Sequence, residues 1–182
     1  MDRTPHQIVN PLTLADPVGY AHALVVTPGR VIYIGGQTAR RSDGVVTGDG
    51  VVQQFDRALG NVVEALRAAG AEPAHVVDMR IYTTAMRSYR VSSNTIGSVY
   101  RRHMGRHYPP MTVLGVTDLM DPDALVEIVC TAVVPDVHDA AELEEDDETR
   151  EMLESIEESS GPGVTAAPAS EDPGDLRERS PA

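Results

Sequence analysis

The chain has 182 residues with 28 acidic and 15 basic side chains, and every basic residue is arginine. Without lysine there is no Schiff-base nucleophile, which excludes a pyridoxal phosphate linkage and class I aldolase chemistry. The formal charge of −13 is concentrated at one end: residues 1–135 hold 12 acids and 12 arginines, residues 136–182 hold 16 acids and 3 arginines. The neutral part therefore lacks the clustered cations that phosphate backbones require, so no nucleic-acid partner is expected.

In chain order, Tyr20–Val26 (YAHALVV) is apolar and β-rich and ends at Thr27-Pro28-Gly29, a turn signal. A second run, VIYIGG, begins at Val31, and the pair predicts a β-hairpin. Arg40-Arg41 then opens a loop marked by Ser42-Asp43-Gly44 and Gly48-Asp49-Gly50. From Val51 to Ala69 the apolar residues Val52, Phe55, Leu59, Val62, Val63, Leu66 and Ala69 recur at three and four, which predicts an amphipathic helix closed by Gly70. His75–Thr84 reads as a strand, Ser88–Gly105 as a second helix, and Tyr108-Pro109-Pro110 as its stop. Two last strands, MTVLGVT and LVEIVCTAVV, are joined through Asp121-Pro122-Asp123.

This β-β-α-β-α-β-β order predicts an α+β domain over residues 1–135, a single sheet with two helices on one face. The other face carries apolar residues such as Tyr33 and Val116, so an oligomer is expected to cover it. Residues 136–182 are rich in Glu, Asp, Ser, Pro and Gly, a composition that cannot offset ordering entropy. A mostly disordered acidic tail is expected there, available to a protein partner. Cys130, the one cysteine, sits in an apolar strand and is expected to be buried and inert. Neither a leader nor a membrane span of about 18 apolar residues is evident, so the cytoplasm is the expected location.

Four stretches, VGYAHAL, VIYIGGQTA, RALGNVVEALRAAGA with VVDMRIYTT, and YPPMTVLGV with LVEIVCTAVV, resemble the RidA/YjgF family in order and separation. The resemblance covers about 120 residues and implies a chorismate-mutase-like fold. It also implies a barrel-cored homotrimer with clefts between subunits, no cofactor, and hydrolysis of enamines and imines to ketones and ammonia. It places the family's cleft tyrosine on Tyr20, its asparagine on Asn94 and its water-positioning glutamate on Glu127. The serine of the usual SGQ falls on Gly35, and the carboxylate-binding arginine falls on Met111, or on Thr112 if the register slides by one. Neither is a cation.

From the residues themselves, Glu127 between Val126 and Ile128 is either on a solvent-facing strand face or held at a site. Tyr20 is either a packing aromatic or a substrate hydrogen-bonding phenol, and Asn94 either an exposed helix residue or a site residue. His22, two residues from Tyr20, would share its strand face as a second acid–base group or be a satisfied buried histidine. His103 and His107 lack the glutamate of a zinc helix motif, and no metal is expected. Arg101-Arg102 and Arg106 read as solvated faces. A bidentate arginine–carboxylate pair contributes a few kcal/mol, about 2, so its loss points to a small non-carboxylate substrate whose imine, enamine or related C–N bond is attacked with help from Glu127. The alternative expectation is a catalytically silent module that binds a small molecule and engages a protein partner through the acidic tail.

Overall fold

The computed structural model describes residues 4–136; the acidic extension expected beyond them lies outside the described residues. Strand alternation organises what is described. In β6 (Val126–Pro135) the residues Val126, Ile128, Cys130 and Ala132 are at most 1% exposed, while Glu127, Val129 and Thr131 between them are half-buried. Successive side chains leave a strand on opposite faces, so one face of β6 enters the core and the other carries the glutamate.

The principal sheet has the order β3-β6-β4-β5, with β3 spanning Gly29–Gln37, β4 Val76–Thr83 and β5 Met111–Gly115. β6 runs antiparallel to both neighbours, whereas β5 pairs with β4 in parallel. The α1 helix, Val51–Ala68, covers one face with Phe55, Ala58, Leu59, Val62 and Leu66, all fully buried. Its apolar stripe follows the predicted spacing, and Gly70 at φ 73° reverses the chain while Ala71 N–H closes on the Leu66 carbonyl at 2.8 Å. Truncating a core leucine such as Leu59 to alanine would cost about 2–5 kcal/mol.

Three local expectations are corrected. The segment before Thr27 does not form a hairpin with β3: β2 (Ala23–Val25) pairs instead with β1 (Gln7–Val9) in a separate two-stranded sheet. Thr27 gives the reason, because its N–H donates to His6 Nδ1 and its hydroxyl to the Pro5 carbonyl, drawing the chain toward the N-terminal segment. The second helix is broken into α2 (Met86–Val91) and α3 (Ser93–Met104), which meet at Ser92. Serines compete for backbone hydrogen bonds and interrupt helices readily, and α2 buries none of its side chains to oppose the break. Tyr20 and His22 lie in the irregular segment ahead of β2 and so do not share a strand face.

Buried polar groups are tied into the fold. Gln54 donates to the Gly48 and Asp123 carbonyls at 3.1 Å and accepts from Leu125 N–H at 2.7 Å, which fastens the start of α1 to the chain entering β6. Cys130 is buried, and burial, assisted by Asp78, pushes its thiol up to about 12. Among the described residues no helix is long and apolar enough to cross a membrane.

His6 and His107 are each 5% exposed. His6 Nε2 donates to the Val133 carbonyl at 3.0 Å, and His107 Nε2 to the Val76 carbonyl at 2.6 Å. Desolvation lowers both imidazoles below 6.5, outweighing those carbonyl bonds. The unfolded chain therefore takes up protons that the folded one refuses, and stability present above 6.5 is lost as pH falls below it. Asp56 and Asp121, both lowered from 3.8, lose their contributions only in a more acid range. Tm measured by circular dichroism is expected to fall between pH 7.5 and 5.5, and a His6→Asn, His107→Asn variant to start lower and change less. A wild-type Tm flat across that interval would contradict the assignment.

Candidate functional site

Glu127 lies on the face of β6 away from α1 and lines a cavity of about 430 Å³ with Gly36, Gln37, Thr38, Arg40, Arg41, Asn61, Met120 and Asp121. A β-bulge makes room for it. Ile34 pairs with Cys130 and Gln37 with Ile128, so two glycines, Gly35 and Gly36, face the single residue Val129. A methyl group built on Gly36 would fall on the Glu127 carboxylate, so a larger residue there would push that side chain out of its present place. Sequence reasoning singled out Gly35, where an added methyl meets nothing; the constraint is on its neighbour.

The rim is held from two sides. Asn61 of α1 donates from Nδ2 to the Thr38 and Arg40 carbonyls at 2.9 and 2.8 Å. Arg40 donates through Nε and Nη2 to one oxygen of Asp121, at 3.2 and 2.6 Å, and this pairing holds the Asp121 carboxyl below its ordinary range. Arg40, which lines the cavity with Glu127, is thus already engaged. Glu127 is half-buried and reaches the cavity, so a solvent molecule there can donate to it.

The strand pleat decides where the residues at the head of β5 point. Met111 pairs with Met79, which is fully buried, and packs against the core on the helix-covered side. Thr112 pairs with Arg80 and is exposed, and Glu127 pairs with Tyr82, two residues on from Arg80. Thr112 and Glu127 therefore share the open face while Met111 lies on the other. Arg80 on that open face pairs with Asp78 at 3.0 Å.

Tyr20 and Asn94 are brought together elsewhere, in a depression of about 930 Å³ between the segment preceding β2 and helix α3. Ile8, Ser98, Arg101, Arg106 and Tyr108 also line it. The Ala21 N–H donates to the Pro109 carbonyl at 3.2 Å and fixes this segment beside the chain entering β5. His22 meets Tyr20 edge to face with ring centroids 5.4 Å apart, and its Nε2 bonds the Ala15 carbonyl at 2.8 Å. His103 and His107 serve separate partners, Asp56 and the Val76 carbonyl. Among the described residues no group of three or more His, Cys, Asp or Glu could hold a metal ion.

Residues 13–134 match the family described as Endoribonuclease L-PSP. The chain belongs to the RidA/YjgF family. It is 28% identical over 115 residues to the human 2-iminobutanoate/2-iminopropanoate deaminase, covering 63% of this chain and 79% of that protein. The crystal structure of the Rid-family protein YyfB from Yersinia pestis, itself of unknown function, superposes with a TM-score of 0.65 at 31% identity, over 71% of this chain and 98% of that one. RidA from a Psychrobacter species shares the fold at 22% identity, TM-score 0.51, over 66% of this chain and 92% of its own.

Gly36→Ala is expected to displace the Glu127 side chain while keeping the sheet, because the clash is with a side-chain terminus and not with backbone. A crystal structure of the variant checks this. Finding Glu127 undisturbed beside Ala at that position would show that the bulge does not control the carboxylate.

Proposed function

We propose that this protein is a divergent RidA-like enzyme that hydrolyses the C–N bond of an imine, enamine or related small metabolite, with Glu127 activating the attacking water. The observation that carries the reading is the carboxylate kept free in a cavity by the Gly35-Gly36 bulge. Water would attack the imine carbon as Glu127 accepts its proton. Passing that proton to nitrogen gives a carbinolamine; Glu127 then takes the hydroxyl proton and delivers it to the amine, so that ammonia leaves as the carbonyl forms and the C–N bond breaks. Atoms balance: imine and water yield ketone and ammonia.

In this reading the site is completed across copies of the chain. Glu127 lines one cavity of a single chain, with Thr112 on the same sheet face, and Tyr20 and Asn94 line another. The open sheet face supports assembly, since Tyr33 is 82% exposed and Val31 49%; large apolar residues side by side on a sheet favour burial against another copy. A homotrimer, as the family resemblance implies, is the proposed assembly. Tyr33→Asp should lower the native mass measured by light scattering, and an unchanged mass would remove the sheet face from the interface.

Neither Met111, turned into the core, nor Thr112, on the face of Glu127, supplies a cation beside the glutamate. A substrate whose carboxylate sits on the reacting carbon therefore lacks its clamp, and 2-iminobutanoate should turn over poorly relative to a neutral imine of similar size. Glu127→Gln should lower ammonia release from any accepted imine by ~100-fold or more without altering Tm appreciably. Undiminished release would sink the role given to Glu127. The alternative of a silent binding module predicts that no imine or enamine is turned over by wild type at all.

A further inference from the structure

The depression that holds Tyr20 and Asn94 contains more positive charge than the proposed chemistry uses. Arg101, on the last turn of α3, and Arg106, just past Gly105, both line it. Four other arginines of the described residues have carboxylate partners, Arg40 with Asp121, Arg41 with Asp43, Arg80 with Asp78 and Arg102 with Asp56, whereas Arg30, Arg57, Arg67, Arg87 and Arg90 stand apart from this depression. Among the described residues no carboxylate pairs with Arg101 or Arg106, and both residues line this one hollow. Arg101 is oriented there by its neighbour, donating from Nη2 to Ser98 Oγ at 3.2 Å, while that hydroxyl donates to the Asn94 carbonyl at 3.1 Å. Gly105 at φ 64° turns the chain between the two arginines.

The rest of the wall is not charged. Tyr108 stacks on Tyr100 with centroids 5.1 Å apart and interplanar angle 14°, and with Ile8, Val18 and Tyr20 it forms an apolar and aromatic part of the lining, beside the uncharged polar residues Asn10, Ser93, Asn94 and Ser98. Two guanidinium groups beside flat apolar surface fit a carboxylate attached to a hydrophobic body, because arginine forks carboxylate oxygens through paired N–H groups while the rings take the body.

We infer that the depression between the Pro17–Ala21 segment and helix α3 is a carboxylate-binding site in which Arg101 and Arg106 hold the acid group of a small ligand with an apolar or aromatic body. Taken with the proposed function, on which this extension rests, the substrate would carry its carboxylate away from the C–N bond, anchored on the tyrosine side of the cleft. The missing strand arginine and the arginines at and just beyond the end of α3 then describe one change in the position of the anchor.

Isothermal titration of the full chain with 3-phenylpropionate, its neutral amide and inorganic phosphate tests this. The carboxylate should bind, the amide should bind weaker by about tenfold or more, and phosphate, lacking the apolar body, should also be weaker. Both arginines are exposed, so Arg101→Ala with Arg106→Ala should retain the wild-type Tm while losing the preference for carboxylate over amide. Glu127→Gln should bind 3-phenylpropionate as wild type does, which separates failure of this site from failure of the catalytic reading. Equal binding of acid and amide, equal or tighter binding of phosphate, unchanged binding by the double variant, or loss of binding in Glu127→Gln would each overturn the proposal. A changed native mass in the double variant would also overturn it, by assigning the arginines to a contact with a second copy.

Discussion

One extra residue in β3 governs the candidate site. With a regular ladder from Ile34 to Gln37, every residue opposite β6 would be paired in step and none would stand aside for the glutamate. The bulge at Gly35-Gly36 breaks that step, and the missing Cβ of Gly36 leaves the space that the Glu127 carboxylate fills. A strand that must bury Val126 and Ile128 can then present a charged residue between them without burying its charge. The Gln54 hydrogen bonds to the chain around Asp123–Leu125 and the Asn61 bonds to Thr38 and Arg40 hold the two strands in that arrangement from the helix side.

Sheet sidedness extends the same constraint to β5. Because paired residues share a face, Met111 follows Met79 into the core and Thr112 follows Arg80 to the open side. A one-residue difference in alignment, invisible in composition, thus separates a packing residue from one that shares the face of Glu127. Neither residue is a cation, so the absence of a positive charge at the head of this strand does not depend on the choice between them.

Much of the architecture was legible because its signals are periodic. The three-and-four spacing from Val52 to Leu66 marks α1 within a residue or two, and the apolar run LVEIVCTAVV marks β6. What escaped was set by contacts remote in sequence. Gln7–Val9 is too short to show a period, and its pairing with β2 depends on Thr27 reaching His6 and Pro5. Gly36 carries no side chain to attract notice, and its importance exists only once Glu127 is beside it. Arg101 and Arg106 look like ordinary solvated charges until folding sets them around a hollow with Tyr20 and Asn94. Motif order singled out Tyr20, Asn94 and Glu127, but it did not show that they lie on two separate surfaces of one chain.

That distribution is the central claim, since chemistry by Glu127 on a ligand held by Tyr20 and Asn94 requires two copies to meet. Subunit complementation tests it directly, using an imine that wild type hydrolyses. Glu127→Gln chains, intact on the tyrosine surface, are denatured and refolded together with Tyr20→Phe, Asn94→Ala chains, intact on the glutamate surface, each variant being inactive alone. Random assembly into a closed ring predicts recovery of about a quarter of wild-type activity, because each cleft needs one good surface from each parent. No recovery in mixed assemblies of native mass would contradict a site built between subunits.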